Sequence, residues 1–385
     1  MKPKLVRITT VPVSLDKLLS RQMNFMNNAG FDVYMISSDC DYKSELEAKE
    51  RSKFIVVNMA RKISLIRDLF SLFQMIMVLR RLEPDIVHTH TPKAGLIGML
   101  ASWITRVPIR IHTVAGLPLM ETHGIKRRIL DLMEKLTYAL ATKVYPNSLR
   151  LKEFIIKEKF TSESKTKVIG FGSSNGIDTD FFSPNIVIEE EANRISNKFG
   201  LSDANFTYVF IGRVVKDKGI EELVDAFLQL SLTRTNCRLF IVGALEQNLN
   251  PISDASLKKI QDSSSIITVG RVDDVRPYLQ LADALVFPSY REGFPNVPMQ
   301  AGCFNLPSIV SDINGCNEII SHYRNGLIVP PKEVEPLRKA MELLLTDKVL
   351  YESLKSASRN MIVDRYEQKK MWDLILLEYK CLLSK

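Results

Sequence analysis

The sequence predicts an α/β protein made of two doubly wound, Rossmann-like domains, and three observations predict this fold class. The chain has 385 residues, too many for one ordinary core and enough for two domains of roughly 180 residues. Short apolar runs alternate with amphipathic segments through both halves, as in parallel sheets covered by helices on both faces. An aperiodic stretch rich in Gly, Ser, Asn and Pro, residues 172–184, separates the halves.

The first half contains a succession of short apolar runs that read as strands, with helical periodicity between them. The predicted strands are Leu5–Thr9, Asp32–Ser37, Ile55–Val57, Ile86–His90, Arg110–Val114, Lys143–Pro146 and Val168–Gly170. The predicted helices include Leu15–Ala29, Ser64–Leu82, Gly95–Ile104 and Ile125–Ala141.

The second half repeats this pattern and ends in two long helices. Its predicted strands are Thr207–Ile211, Arg238–Val242, Ile266–Val269, Ala284–Phe287, Ser308–Val310 and Leu327–Val329. The final helices are Leu350–Tyr366 and Lys369–Leu383. We therefore predict domains at residues 1–175 and 176–365, and a last helix at residues 366–385 that could pack back on the N-terminal domain.

Charge and cysteine content narrow the class of protein. Residues 1–178 hold 28 Lys and Arg against 17 Asp and Glu, whereas residues 179–385 hold 24 against 27. A basic half indicates an anionic partner, and a membrane surface is favoured because the basic residues follow no nucleic-acid reader motif. No apolar run is long enough for a transmembrane helix, and the N-terminus lacks a signal peptide pattern. Five cysteines without a CxxC pair fit a reducing cytoplasm.

Two strand-to-helix turns in the second half carry basic residues. In VFIGRVVKDKG, residues 209–219, a strand ends at Gly212 and a helix begins near Gly219. Arg213 and Lys218 bracket this turn, where free N–H groups of the helix start would add to their charge and suit a diphosphate. In GRVDDVRPY, residues 270–278, backbone groups at Arg271 and Val272 could meet a base edge, and Asp274 could cap a helix.

The strongest segment is PSYREGFPNVPMQ, residues 288–300, which follows a buried strand. Its position is the carboxyl edge at which doubly wound sheets bind ligands. Glu292 and Gly293 lie in a turn, a helix begins within residues 295–298, and Gln300 lies inside it. Glu292 can accept hydrogen bonds from sugar hydroxyls, and Gln300 can bridge two ribose hydroxyls.

The phrases IGRVVKDKG, VGRVDDVRPYL and REGFPNVPMQAG, in this order, resemble glycosyltransferase family 4. In the first half, PDIVHTHTPKAG, RIHTVAGLPL and VYPNS resemble bacterial members that build capsule, O-antigen or exopolysaccharide units on a lipid carrier. The resemblance covers nearly the whole chain. It implies the GT-B fold, with two facing Rossmann-like domains, and retaining, metal-independent transfer from a UDP- or GDP-sugar to a lipid-diphosphate-linked glycan.

The resemblance also implies site residues. Arg213 and Lys218 would hold the donor diphosphate, and Glu292 is the first acid of the E-x7-E motif. The second acid is replaced by Gln300, which keeps a ribose contact and removes a charge. The implied donor site consists of Gly212, Arg213, Lys218, Gly270, Arg271, Val272, Glu292, Gly293, Phe294, Pro295, Asn296 and Gln300.

The histidines of the first half are less securely assigned. His88 and His90 lie at the end of a predicted strand, where the residues of a ligand-binding cleft are found in this class of fold. They form an HxH pair, but two histidines without a further ligand nearby are too few for a metal site. Many relatives carry a cleft histidine where this chain has Ala115. His90 and His112 are therefore candidates for a catalytic role. The first turn has no glycine but offers Thr9, Thr10 and Ser14.

A basic, apolar segment favours peripheral binding to the inner face of the membrane. The predicted helix Ser64–Leu82 is rich in large apolar side chains, and it is flanked by Arg61, Lys62, Arg67, Arg80 and Arg81. Lys126, Arg127 and Arg128 form a second basic cluster. Such segments suit anionic lipid surfaces, although the apolar face could instead pack on the sheet.

These observations predict a cytoplasmic glycosyltransferase that needs no metal cofactor, uses a nucleotide-sugar donor and acts in surface polysaccharide synthesis. Two other functions fit parts of the sequence. One is a hydrolysing UDP-sugar epimerase on the same fold. The other is a non-catalytic, membrane-associated partner of another transferase, which Gln300 and Ala115 would favour.

Overall fold

The computed structural model describes residues 2–60, 64–117, 119, 122–185, 189–202, 204–248 and 250–384. The chain forms two compact units. The first contains Met1–Gly176 and Gln368–Lys385, and the second contains Ile177–Glu367. The predicted basic flank at Arg61 and Lys62 lies outside the described residues. No helix in the described ranges is both long and apolar enough to cross a bilayer.

The first unit is a six-stranded parallel sheet with helices on both faces. Its strands pair in the order β3-β2-β1-β4-β5-β6. They are β1 (Lys4–Ile8), β2 (Asp32–Ser37), β3 (Lys53–Val56), β4 (Ile86–His90), β5 (Ile109–Val114) and β6 (Lys143–Pro146). The helices are α1 (Gln22–Asn28), α2 (Lys43–Glu50), α3 (Leu65–Leu82), α4 (Pro92–Ile104), α5 (Gly124–Leu140) and α6 (Leu149–Lys157).

Alternate residues of the central strands enter two different cores. Val6, Ile8 and Val87 pack with residues of α3, α4 and α5. Leu5 and Ile86 pack on the other face with residues of α1 and α2. Because successive strand residues point to opposite faces, an uninterrupted apolar run is what a strand covered on both sides requires.

The second unit repeats this topology. Its strands pair in the order β12-β11-β10-β7-β8-β9, all parallel. They are β7 (Phe206–Ile211), β8 (Cys237–Val242), β9 (Ile266–Gly270), β10 (Ala284–Phe287), β11 (Ser308–Ser311) and β12 (Gly326–Val329). The helices are α7 (Glu189–Phe199), α8 (Ile220–Ser231), α9 (Asp254–Asp262), α10 (Arg276–Gln280), α11 (Asn296–Cys303), α12 (Cys316–Ile319), α13 (Val334–Thr346) and α14 (Lys348–Tyr366).

In both units the strand order reverses once, which confirms the predicted doubly wound fold. The reversal falls between β1 and β4 in the first unit and between β7 and β10 in the second. The loops that leave two such neighbouring strands turn to opposite faces of the sheet. This divergence opens a crevice at the carboxyl edge, where open α/β sheets bind their ligands.

The last helix, α15 (Gln368–Leu383), belongs to the first unit. Met371, Ile375 and Tyr379 are its buried residues, and they join the core that also contains Leu5 and Ile86. Tyr379 reaches the middle of β1, where its hydroxyl accepts a hydrogen bond from Arg7. Helix α15 therefore contributes to the core of the first unit, together with residues of β1 and β4.

Two predicted elements are wrong. The segment Leu15–Ala29 is not one helix, because Ser14–Leu18 is π-helical and α1 begins only after Arg21, which is left-handed (φ 64°). The buried Glu50 carboxylate stabilises this break by accepting hydrogen bonds from the backbone amides of Arg21 (2.6 Å) and Asn24 (3.2 Å). Residues 168–170 form no strand, since beyond β6 the sheet continues only as a single bridge from Val144 to Thr166.

A buried carboxyl group in α5 makes the stability of the first unit depend on pH. Burial, with a contribution from the Asp131 carboxylate, raises the pKa of Glu134 from 4.5 to about 7. Between these values the folded chain holds a proton that the unfolded chain has released. The free energy of unfolding therefore falls as pH rises through this window.

Replacing Glu134 with glutamine removes this titration. We expect Glu134→Gln to raise the free energy of unfolding by about 3 kcal/mol at pH 8 and by less than about 1 kcal/mol at pH 5. Thermal or urea unfolding at both pH values measures the difference. Glu153→Gln, at an exposed position of α6, is the control and should change little at either pH. An equal effect of Glu134→Gln at both pH values would contradict the assignment.

Candidate functional site

The predicted diphosphate-binding residues lie at the carboxyl edge of the second sheet, where its strand order reverses. Arg213 follows β7, and Lys218 ends a 3₁₀ turn, Lys216–Lys218, that leads into α8. Gly219 caps α8 in a left-handed conformation (φ 70°). A Cβ atom at Gly219 would lie 2.1 Å from the carbonyl oxygen of Pro288, so the loops after β7 and β10 touch at a point where only glycine fits.

Lys218 and Glu292 form an ion pair across this edge. The Nζ of Lys218 donates a hydrogen bond to Oε1 of Glu292, and the two side chains are only 16% and 15% exposed. The same Nζ lies 5.8 Å from the centre of the Phe287 ring. With little water around it, the pair interacts more strongly than surface pairs do. The arrangement presents a fixed cation and a fixed hydrogen-bond acceptor side by side.

The turn that carries Glu292 is held in place by its neighbours. The side-chain amide of Asn314 donates a hydrogen bond to the Gly293 carbonyl oxygen at 2.7 Å. A Cβ atom at Gly315 (φ 77°) would lie 2.4 Å from the same oxygen, and the Phe294 ring packs edge-on against Tyr366. These contacts fix the backbone that precedes α11, whose first N–H groups have no partner within the helix.

Pro295 precedes the first residue of α11, Asn296, as predicted. Gln300 lies half-buried in the second turn of this helix. A glutamine there can donate and accept hydrogen bonds but adds no charge, so Glu292 supplies the only carboxylate of the E-x7-E pattern in this chain.

Arg213 is half-exposed and pairs with Glu246, whose Oε2 lies 3.1 Å from a guanidinium nitrogen. Glu246 was not predicted from the sequence, because it follows β8 in a loop with no recognisable motif. The one feature that could have indicated Glu246 is its position directly after β8, the strand that neighbours β7. In the structure, a bridge between Val214 and Leu245 joins the loops that follow these two strands. The remaining N–H donors of this guanidinium have no partner among the described residues, so Arg213 can contact an anion while it stays paired with Glu246.

The predicted base-contacting residues lie farther along the same sheet edge. Gly270 ends β9 in a left-handed conformation (φ 79°), Arg271 is exposed and Val272 is half-buried. Because β8 separates β9 from β7, these residues are two strands away from the Lys218 turn. Asp274 accepts a hydrogen bond from the amide of Arg276, the first residue of α10, at 2.9 Å, but the N-cap of this helix is Val275, so Asp274 contacts the helix start from one residue before the predicted cap position.

The histidines of the first unit fall on opposite faces of its sheet. His88 and His90 share one face of β4, and their rings stack with centres 4.4 Å apart. His112 points to the other face of β5, where its Nδ1 lies 2.7 Å from the Thr89 hydroxyl. Burial lowers the pKa of His112 to about 3, so it stays neutral at ordinary pH. The structure therefore does not bring His90 and His112 together.

Gly95 shows how closely His112 is enclosed. A Cβ atom at this position of α4 would lie 2.5 Å from Cε1 of the His112 ring. The ring of Tyr138 lies 5.9 Å away on the α5 side. The glycine in the phrase PKAG is thus required by packing against the histidine of β5.

Other residues considered from the sequence have structural partners. The Thr10 hydroxyl lies 2.8 Å from that of Thr91, and the Thr9 hydroxyl lies 3.2 Å from that of Ser37. In the ranges that the structure describes, no three side chains among His, Cys, Asp and Glu are grouped to share a metal ion.

Two Rossmann-like units in one chain constitute the GT-B fold, and a cationic site at the carboxyl edge of the second unit fits the nucleotide-sugar transferases of this fold. Comparison with known proteins agrees with this class. Residues 191–361 match the family described as glycosyl transferases group 1, and residues 13–148 match the family described as glycosyl transferase 4-like.

Relatives and solved structures cover almost the entire chain. The capsular polysaccharide biosynthesis glycosyltransferase CapM of Staphylococcus aureus is 33% identical over 382 residues, which are 99% of this chain and 98% of the relative. An Escherichia coli UDP-Gal:alpha-D-GlcNAc-diphosphoundecaprenol alpha-1,3-galactosyltransferase is 28% identical, with 97% and 96% covered. Anabaena Alr3699/HepE in complex with UDP superposes with a TM-score of 0.81 at 17% identity, over 99% of this chain and 100% of that chain.

The chain therefore belongs to glycosyltransferase family 4, and the protein is a glycosyltransferase.

Proposed function

We propose that the protein is a retaining glycosyltransferase that moves a sugar from a UDP-sugar to a lipid-diphosphate-linked glycan, without a metal ion, in the synthesis of a bacterial surface polysaccharide. The observation that carries the proposal is the Lys218–Glu292 pair at the start of α8. It supplies a cation for the leaving diphosphate and an acceptor for the hydroxyls of the donor sugar.

The chemistry of transfer explains the arrangement. Negative charge develops on the leaving diphosphate as the bond between the sugar and its oxygen breaks. Lys218, Arg213 and the free N–H groups of α8 and α11 can offset this charge, which is the work that a divalent cation does in other phosphate sites. Glu292 is freed when the diphosphate takes over Lys218, and it then accepts hydrogen bonds from the sugar.

The relatives support the choice of donor and acceptor. The name of the Escherichia coli relative states a UDP-galactose donor and a diphosphoundecaprenol-linked acceptor, and the Anabaena structure contains UDP. The name of the Staphylococcus aureus relative places it in capsular polysaccharide biosynthesis.

A thermal-shift screen against UDP-, GDP- and dTDP-sugars tests the donor. A ligand that binds only the folded state raises the melting temperature, so we expect a saturable rise with a UDP-sugar. Transfer to a lipid-linked acceptor is then followed with EDTA present, and NMR of the product gives the configuration of the new bond. Inversion or loss of activity in EDTA would overturn those parts of the proposal. Turnover of the donor without acceptor would indicate an epimerase, and binding without turnover a non-catalytic partner.

We further propose that the first unit binds the anionic inner surface of the membrane through two apolar stripes. Each stripe follows a helical repeat and is exposed, although another face of the same helix is buried. On α3 the buried positions are Ser71, Met75 and Leu79. The exposed stripes are Ile66, Phe70, Phe73 and Met77 on α3, and Ile125, Ile129, Leu132 and Leu136 on α5.

The positions of the two apolar stripes and the charges beside them favour a lipid surface as their binding partner. Both helices cover the same face of the sheet, because residues of each join the core beneath α4. Exposed basic side chains accompany the stripes, at Arg67, Arg80 and Arg81 on α3 and at Lys126 and Arg128 on α5. Apolar side chains that insert among lipids, with cations beside them, are what peripheral helices use to bind anionic membranes.

Replacing Phe70 and Phe73 with serine should weaken binding to vesicles that contain phosphatidylglycerol by at least about tenfold, because each ring loses its apolar transfer energy. Sedimentation with vesicles measures this. Leu232→Ser/Val349→Ser is the matched control, since these side chains are 82% and 83% exposed in the second unit. Equal binding of both variants would contradict the proposal, and a dimer that dissociates on Phe70→Ser/Phe73→Ser would show that a second copy covers the stripe.

A further inference from the structure

Arg7 places a positive charge inside the first unit without an ion pair. It occupies the middle of β1 and is 1% exposed. Its guanidinium donates hydrogen bonds to the hydroxyl of Tyr379 and to Oε1 of Gln22, and one of its nitrogens lies 3.0 Å from Nδ1 of His88. All three partners are neutral, and a buried charge is costly unless an opposite charge accompanies it.

The nearby carboxylate is engaged elsewhere. Glu50 acts on Arg7 through its charge, but its own hydrogen bonds go to the backbone amides of Arg21 and Asn24. Among the described residues, no Asp or Glu forms a hydrogen bond or an ion pair with Arg7. The guanidinium is thus held in place by neutral groups and remains open to a negative ligand.

Arg7 also determines the tautomer of the neighbouring His88. A guanidinium has only donors, so Nδ1 of His88 must accept, and the ring carries its proton on Nε2. That nitrogen lies 2.7 Å from the Thr113 hydroxyl. Burial lowers the pKa of both His88 and His90 well below the ordinary value, so neither ring supplies a competing cation.

A cavity next to Arg7 is lined by polar atoms that lack partners. Arg7 Nε, both ring nitrogens of His90, the Ser174 hydroxyl and Oδ1 of Asn147 are buried and make no hydrogen bond within the described structure. His90 is 1% exposed, and all four residues line the same cavity. Buried polar groups are nearly always satisfied in folded proteins, so several orphans around one space indicate a missing ligand.

From this arrangement we infer that the cavity binds a small oxyanion, which acts as the counter-ion of Arg7. Three unpartnered donors belong to residues that line it: the Arg7 Nε–H, one N–H of His90 and the Ser174 hydroxyl. Donors and a fixed positive charge in a water-poor space are what an oxyanion requires. The site is separate from the proposed donor site, which lies in the other unit, and the inference does not depend on the proposed function.

The room in the cavity limits the size of the ligand. The cavity has a volume of about 20 Å³, somewhat more than a single water molecule needs. This room favours a small oxyanion such as a carboxylate group over the larger phosphate group. Both ligands share the oxyanion chemistry. A protonated phosphate also offers a hydroxyl donor to Oδ1 of Asn147.

NMR of the full-length protein with isotope-labelled histidine tests the inference, because the chain has only five histidines. Sodium formate and inorganic phosphate are titrated in separate arms at constant ionic strength, with chloride as the reference. The His90 resonances, assigned by their loss in His90→Gln, should shift saturably, and those of His123 and His322 should not. If the shift saturates with formate but not with phosphate, the cavity is a carboxylate site. If phosphate binds more tightly than formate, the cavity is a phosphoryl site.

Variants separate this site from other anion sites. Ser174→Ala removes one donor and should weaken the oxyanion about tenfold. Lys218→Ala, which alters the donor site of the other unit, should leave the His90 titration unchanged. Arg7→Met should abolish the titration, and if that variant does not fold, Ser174→Ala still decides. Absence of any saturable shift, or an equal shift in chloride, would overturn the inference and leave buried water as the occupant.

Discussion

Replacing Lys218 with alanine is expected to lower the rate of sugar transfer by about 10²–10³-fold while leaving the fold intact. The ammonium group is the least exposed cation of the proposed donor site, and it faces the charge that develops on the leaving diphosphate. Because this charge is larger in the transition state than in the bound donor, the loss should appear mainly in kcat. Steady-state kinetics with a UDP-sugar and a lipid-linked acceptor measure it.

Lys216 is the matched control for this experiment. It lies in the same 3₁₀ turn as Lys218, but it is 53% exposed and pairs with Glu221 at 3.7 Å. Lys216→Ala should retain nearly full activity. If Lys218→Ala also retains near-normal transfer, Lys218 does not bind the diphosphate.

The Glu292 carboxylate gives a second test of the same pair. Lys218→Ala leaves this half-buried group without its cation, whereas Lys218→Ala/Glu292→Gln removes both charges. We expect the double variant to be more stable than Lys218→Ala and no more active. The cost of an unpaired carboxylate and the loss of the diphosphate cation are thereby measured separately.

Replacing Gly219 with alanine is expected to reduce the stability of the second unit by about 3–5 kcal/mol and to weaken donor binding. The left-handed conformation alone costs a non-glycine residue about 1–2 kcal/mol. The added Cβ atom would also lie 2.1 Å from the Pro288 carbonyl oxygen, so the loops after β7 and β10 must separate, at a further cost of overpacking. Lys218 is the adjacent residue and would move away from Glu292.

Gly200→Ala separates these two effects. Gly200 has a similar conformation (φ 61°) in the same unit, but a Cβ atom there would have nothing within 4 Å. Gly200→Ala should lower the free energy of unfolding by about 1–2 kcal/mol and leave donor binding unchanged. Urea unfolding and the UDP-sugar thermal shift measure both quantities. Equal losses for the two variants would show that the contact with Pro288 is unimportant.

Much of each sheet was predictable because the signals are local. Central strands such as Ala284–Phe287 are short apolar runs, and their residues are buried on both faces, as the runs require. The helix of residues 15–29 failed because its break depends on Glu50, a residue from a different element. The sequence pattern of α3 did not show which apolar residues pack on the sheet, as Met75 and Leu79 do, and which are exposed, as Phe70 and Phe73 are.

The sequence by itself determined the class of fold and the family. Strand-helix periodicity and the phrases around Lys218 and Glu292 are read within short windows, and loops at the carboxyl edge of a doubly wound sheet follow from its topology. These features predicted where a donor would bind and which residues would meet it.

Only the tertiary structure decided which side chains meet. Lys218 and Glu292 are 74 residues apart, and Arg7 and Tyr379 are 372 residues apart, so the strand order and the return of α15 bring them together. The same holds for Arg213 with Glu246 and for the cavity beside His90. Such contacts depend on packing between distant elements. The family resemblance placed Lys218 and Glu292 in one site, but no local pattern marks the direct pair between them or the other contacts.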